Sequence, residues 1–310
     1  MELYIGPIAA LAAALFWAVA TLLYNQAGSY LSAAQLNWVK GVVAVPLLAL
    51  AAWWLPSSLS VASLTDSPAL YLLLLSGVIG ITIGDTCYFA ALRRLGPNQT
   101  MLLEYLAPVF AALLAWWWLA ETLTLTQVGA AAVVIAGVIW VITGQQSQRI
   151  ERQGSNQLSA PTQPSVSGVL FGITAALCQA VGLVMAFHAL QSFELSALTA
   201  ALLRMSAGTV ALTVALVMLK PAIIGSTRAA MRHTSWRWLL LAIVLGTFGA
   251  IWLQQLALTT LSPGLAQTLL ATAPLWLIPI QWSLGIRTSW RALSGTLIAL
   301  SGIIWLFSSL

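Results

Sequence analysis

Long apolar runs separated by short polar breaks organise this sequence from end to end. Reading from break to break gives ten apolar stretches, at roughly 4–24, 33–54, 68–92, 97–119, 124–143, 167–190, 196–219, 236–258, 264–285 and 289–308. Most are close to the ~20 residues an α-helix needs to cross a bilayer, and none shows the ~10-residue alternation of a barrel strand. The pattern predicts an all-α polytopic membrane protein with ten transmembrane helices. The connections are short, so successive helices run antiparallel. Gly96-Pro97 and Ser262-Pro263-Gly264 are stop-and-restart signals, because proline cannot continue a preceding helix. The longest polar stretch, GQQSQRIERQGSNQLSAPTQPSV at 144–166, reads as a linker between two halves, 1–143 and 167–310.

The halves resemble each other. Pro97 and Pro108 recur as Pro263 and Pro274 at an offset of 166, and Gly80 and Gly129 recur as Gly246 and Gly295 at the same offset. LAPVFAALLAWWW at 106–118 parallels TAPLWLIPIQWSL at 272–284, and Gly6 pairs with Gly168 at an offset of 162. Each half holds five spans, an odd number, so the second copy enters the membrane in the opposite orientation. Two inverted five-helix repeats are the expected fold. In that arrangement secondary transporters place their site between the halves.

Composition agrees with a membrane class. Hydrophobic residues make up 60% and charged residues only 6%, with a mean hydropathy of +0.94, against about 25% charged in a soluble domain. The first span is too long, and followed by too many others, to be a removed signal peptide. The net charge of +5 is no nucleic-acid signal, since the basic residues are scattered through short loops. Their placement is a topology signal. Ten lie on the side that receives the loops after odd-numbered spans: Arg93, Arg94, Arg149, Arg152, Lys220, Arg228, Arg232, Arg237, Arg287 and Arg291. The other side has none, and carries Glu2, Asp66, Glu121 and Glu194. The positive-inside rule then puts the linker in the cytoplasm and both termini outside, in a bacterial inner membrane.

Four ionisable residues fall inside spans: Lys40, Asp85, Glu104 and Arg204. A lone charge at mid-bilayer costs about 2.5–3.5 kcal/mol, so such residues face partners or an aqueous cavity. Lys40, Asp85 and Glu104 each lie seven residues from the basic end of their span, roughly 10 Å deep. Arg204 lies eight residues from the other end and is expected in a different layer. A Lys40–Asp85 or a Lys40–Glu104 pair is open. Either leaves one carboxylate spare for substrate or proton work, Glu104 ahead of Asp85. A purely structural ion pair is the competing reading.

The same helices and their repeat mates carry further candidates for binding or coupling: Trp17 with its mate Gln179, Tyr24, Tyr88 one turn past Asp85, Tyr105, Gln254, Gln255 and Gln267. Indoles, phenols and amides in a bundle bond a ligand or one another. Pro108 and Pro274 are expected to kink their spans and free backbone carbonyls near the centre, as gating elements or static bends. Gly77, Gly80 and Gly84 form a thin face for close helix approach. Tryptophans at span ends, such as Trp53, Trp54, Trp116 to Trp118, Trp236 and Trp238, read as an interfacial belt. Cys87 and Cys178 read as small buried residues, and His188 and His233 as local structure and surface. No cysteine–histidine spacing points to a metal, and no catalytic residues or cofactor are expected.

The segment GDTCYFAALRRLGPNQTMLLEYLAPVFAALLAWWWLAETLTLTQVGAAAVVIAGVIW at 84–140, with the ten-span repeat, resembles the EamA-like branch of the drug/metabolite transporter superfamily. The features that carry the resemblance are Tyr88 and Phe89 in an aromatic third span, the turn at Gly96-Pro97, Pro108 in mid-span, and Glu121 at the span's end. The second half has Pro274 but Gly285-Ile286-Arg287 where the matching glutamate would fall. The resemblance implies a central cavity lined by spans one, three, four, six, eight and nine. It also implies movement of small metabolites, amino acids included. It implies cytoplasmic termini as well, in conflict with the charge count, since loop 55–67 carries no basic residue.

The expected function is alternating-access transport of a small molecule by a monomer in contact with lipid, with a dimer as the alternative state and no nucleic-acid partner. Proton coupling or exchange would drive it, because GVIGITIG lacks the lysine of a phosphate loop. A channel-like or structural membrane protein is the alternative. A membrane enzyme is third, with Asp85 and Glu104 as its carboxylate pair and almost no loops to hold a substrate head group.

Overall fold

The computed structural model describes residues 4–54, 68–118, 125–153, 166–192, 195–261, 263–285 and 289–308. The first half runs through α1 (Ile5–Ala27), α2 (Ala33–Trp54), α3 (Pro68–Gly77), a π-helical segment (Val78–Asp85), α4 (Thr86–Leu95), α5 (Pro97–Leu103), α6 (Leu106–Trp118) and α7 (Leu125–Gln153). The second runs through α8 (Val166–Ser192), α9 (Ala197–Leu219), α10 (Ile223–Met231), α11 (Trp236–Ala242), a second π-helical segment (Ile243–Gly249), α12 (Ala250–Leu258), α13 (Pro263–Leu270), α14 (Ala273–Ser283) and α15 (Trp290–Ser308). The protein is an all-α integral membrane protein. Among the described residues, six stretches are long and apolar enough to cross a bilayer: Ile5–Ala27, Ala33–Trp54, Leu70–Leu95, Val166–Gln191, Ala197–Leu219 and Trp236–Leu258.

Helix α1 shows how such a sequence packs without a hydrophobic driving force. It is built largely of alanine and leucine, the strongest helix formers, and its one proline, Pro7, sits in the first turn, where no backbone donor is lost. Gly6, Ala10, Ala13, Ala20, Tyr24 and Ala27 recur at steps of three, four and seven residues, which keep to one helix face, and are all buried. Lipid tails are as apolar as leucine, so association depends on close van der Waals approach, which small side chains allow. At Gly6 a Cβ would meet the Thr260 hydroxyl at 2.1 Å. The helix ends where the Gly28 amide donates to the Tyr24 carbonyl at 2.9 Å. Around it pack α11 to α14, while α7 and α15 pair with each other at the side of the bundle.

The expected fourth and ninth spans are each two helices rather than one kinked helix. Proline has no amide hydrogen, so Pro108 cannot bond the Glu104 carbonyl, nor Pro274 the Leu270 carbonyl. At the first break the Glu104 carbonyl instead accepts from the Ala107 amide at 2.9 Å, and the Tyr105 amide donates to Leu102 at 3.1 Å. At the second, the Thr272 amide donates to Leu269 at 3.1 Å, and the Thr272 carbonyl accepts from Leu275 at 2.9 Å. The chain therefore turns more tightly at both points.

A second departure concerns the linker. Helix α7 continues to Gln153, so the expected linker begins as helix, and 154–165 lie outside the described residues. The π-helical segments had no sequence signal: each inserts a residue into a turn and re-aims the side chains beyond it.

Contacts at one end of the bundle join the loops that carry the basic residues. Arg93 donates from Nη1 to the carbonyls of Gly28, Ser29 and Leu31. Arg94 lies over the Phe171 ring at 4.8 Å, Arg291 over Trp140 at 5.4 Å, and His233 packs on Tyr30 at 5.8 Å. Trp53, Trp54, Trp236 and Trp238 are exposed. Glu2, Asp66, Glu121, Glu194 and Arg287 lie outside the described residues, as do the side chains of Trp116 to Trp118. His188 is exposed near the end of α8, and both cysteines are free thiols.

Candidate functional site

Helix α2 and the first π-helical segment bring Lys40 and Asp85 into a buried ion pair between Nζ and Oδ2. Of the two pairings open in the sequence, Lys40 takes Asp85. Its ammonium also lies 5.2 Å from the centre of the Phe89 ring, an attraction strengthened by the absence of water. Asn37, one turn earlier on α2, donates from Nδ2 to the Ile81 carbonyl at 2.7 Å and to the Thr86 hydroxyl at 2.8 Å. The π-helical slip takes backbone bonds out of α register, and Asn37 supplies a side-chain donor there. Asn37 was not among the sequence candidates; its place three residues before Lys40, on the same helix face, was the available signal.

Glu104 is the spare carboxylate. It stands at the end of α5, where the chain breaks, and its Oε2 accepts the Trp17 indole hydrogen at 3.0 Å. Among the described residues it has no ion-pair partner. The Trp17 ring rests 5.1 Å from that of Tyr88. Tyr88 and Thr21 share a hydroxyl hydrogen bond of 2.7 Å, and Thr21 donates back to the Trp17 carbonyl at 2.8 Å. Tyr24 is tied to Thr247 at 2.6 Å. Helix α1 is thereby bonded to both halves. Thr21 and Thr247 were also missed, being hydroxyls too small to stand out in an apolar run.

A cavity of about 90 Å³ lies between these helices, several times the ~10–15 Å³ that one water requires. Its wall takes Ala13, Ala14 and Trp17 from α1, Ile81 and Asp85 from the π-helical segment, and Glu104 and Ala107 from either side of the first helix break. The second half contributes Gln179 from α8, Ala250, Ile251 and Gln254 from α12, Gln267 and Leu270 from α13, and Ala271 from the second helix break. Those elements correspond to spans one, three, four, six, eight and nine. One further residue joins them, Arg204 from α9.

Arg204 corrects the sequence reading, which put it in another layer. Counting from helix ends leaves less than about 10 Å between the two layers across a ~30 Å core, and a long guanidinium side chain closes that gap. The remaining candidates stand behind the wall. Lys40 backs Asp85, and Tyr88 backs Trp17. Tyr105 is fully buried, with no partner for its hydroxyl among the described residues. Gln255 is buried with both amide atoms unpartnered among the described residues, and Gln254 alone of that pair lines the cavity. Pro108 and Pro274 are buried next to the two breaks. The alanines of the wall gave no sequence signal, since an alanine reads as packing. Among the described residues no three His, Cys, Asp or Glu side chains gather to hold a metal ion.

A family model described as the EamA-like transporter family matches residues 4–143 and 166–308. One crystal structure, described without a function, superposes with a TM-score of 0.64 over 97% of this chain and 94% of its own. The two sequences are 17% identical, so the likeness is one of fold. No curated protein sequence matches.

Proposed function

The chain belongs to the EamA-like transporter family, and on that premise we propose that it is a secondary transporter moving a small metabolite, an amino acid or similar, by alternating access. Its family moves solutes and does not convert them. The observation that carries the reading is the cavity itself. It lies between the halves, is walled by both, and holds a half-buried carboxylate, Glu104, with no basic partner among the described residues. Ten spans in two inverted five-helix repeats, 1–143 and 167–310, are the architecture we assign. The two π-helical segments and the two helix breaks, which recur at nearly the offset of the sequence repeat, support it. The breaks at Pro108 and Pro274 are the gating points, where few backbone bonds resist bending.

Glu104 is assigned the coupling role. In proteoliposomes given a pooled set of labelled metabolites, wild-type protein is expected to show saturable uptake stimulated by a pH gradient. Glu104→Gln, which holds the site in its neutral shape, should lose that stimulation and fall to background under a gradient. Uptake by the variant with unchanged pH dependence would remove Glu104 from the role. Absence of saturable uptake by folded wild-type protein would count against transport of anything in the pool.

Both termini are assigned to the outer face of a bacterial inner membrane, and the protein is assigned as a monomer. A cysteine engineered at a terminus is then expected to react with an impermeant maleimide in intact cells. Labelling only after permeabilisation would reverse the orientation.

A further inference from the structure

We propose that the cavity takes a small molecule bearing one carboxylate, and that this group is held by the guanidinium of Arg204. The inference rests on the transport reading above and narrows its substrate class. Arg204 is only 3% exposed, and its Nε and Nη1 have no hydrogen-bond partner among the described residues. Among the described residues the ion pair is Lys40–Asp85, and no carboxylate lies within 4.0 Å of Arg204. A guanidinium keeps its charge inside proteins and carries five donors in a planar fork. A buried, unpaired cation of this kind is costly to keep, so a ligand that completes it is strongly favoured.

The room for that ligand is the cavity, whose wall Arg204 joins. A Cβ at Gly182 would sit 3.3 Å from Nη2, and one at Gly80 would sit 3.4 Å from it. The glycine backbones of α8 and the first π-helical segment therefore pack close against Nη2, and the approach left to a ligand is from the cavity that Arg204 lines. The fork matches a carboxylate through two parallel bonds. A doubly charged phosphate fits less well. Asp85 and Glu104 both stand in the wall, Lys40 neutralises only the first, and Arg204 is the single cation lining the cavity among the described residues. With both carboxyls ionised, Lys40 and Arg204 balance them, so a carboxylate leaves the site one charge negative and a dianion two. The amides of Gln179, Gln254 and Gln267 can bond the rest of the solute, and Ala13, Ala14 and Ala250 suit a short aliphatic part.

The test uses full-length protein in lipid nanodiscs and reads ligand-induced thermal shifts. The probes are the protein amino acids and short fatty acids, each beside its primary amide, with inorganic phosphate as a separate arm. At least one carboxylate should stabilise the protein saturably while its amide does not. Hydrogen bonds to a charged group are worth enough that Arg204→Lys should weaken that probe about tenfold or more, and Arg204→Gln should lose it. Should Arg204→Gln not fold, Gly182→Ala crowds Nη2 from outside and should weaken the same probe. The proposal is overturned if no carboxylate binds, if acid and amide bind alike, if phosphate outbinds every carboxylate, or if folded variants bind as wild type does. Saturable uptake of an amine or neutral solute, with no carboxylate binding, would defeat this inference and leave transport standing.

Discussion

Lys40→Met should lower stability by about 3–5 kcal/mol, because it leaves the buried Asp85 carboxylate without its cation. Lys40 is wholly buried and Asp85 nearly so. Removing the ammonium leaves the carboxylate without its cation, and the Phe89 ring loses the charge that lay 5.2 Å from its centre. Asp85→Asn should also destabilise, since it leaves the ammonium without its anion. The double variant Lys40→Met/Asp85→Leu should recover most of the loss, because both desolvation costs vanish together and apolar groups refill the space. Thermal or denaturant unfolding of the three proteins in one lipid system measures the coupling. Strictly additive losses would mean that the pair contributes nothing as a pair, and that its burial has another cause.

Gly77→Ala is expected to be the most damaging glycine substitution in the core. A Cβ there would stand 2.2 Å from the Arg204 carbonyl oxygen and 2.9 Å from its carbonyl carbon and Cα. These are backbone atoms, so no side-chain rotation relieves the clash. The same crossing appears from the other side, where a Cβ on Gly208 would meet the Gly77 carbonyl at 2.7 Å. Helices α3 and α9 must separate, at a cost of about 1–3 kcal/mol or more. The separation also moves Arg204, which lines the cavity from that point of α9, so transport should fall further than stability alone explains. Gly225→Ala in α10 is the control. Nothing lies within 4 Å of its Cβ position, and a helical alanine in place of glycine should gain roughly 0.5–1 kcal/mol. Unfolding midpoints of the two variants that move together would show that helix propensity, not the crossing, sets the effect.

Particular residues show how far the sequence alone reached. Depth counting grouped Lys40, Asp85 and Glu104, because rise per residue is constant along any helix. It could not choose between the two carboxylates for Lys40. That choice depends on rotation about the helix axis, and the π-helical segment that ends at Asp85 changes the rotation locally. The same limit explains Arg204, whose long side chain reaches across layers that a Cα count keeps apart.

The sequence by itself determined the membrane class, the family resemblance and most of the polar side chains that wall the cavity. Those features follow from quantities read along one chain: the apolar length that matches a bilayer, the missing amide hydrogen of a proline, and the cost of a charge in lipid. Only the tertiary structure decided that Lys40 closes on Asp85, that Trp17 bonds Glu104, and that Arg204 lines the cavity with no partner for Nε and Nη1 among the described residues. Each of these is a relation between two or more helices distant in the chain. It is set by their relative rotation and by where a glycine lets two backbones meet, which no single stretch of sequence encodes.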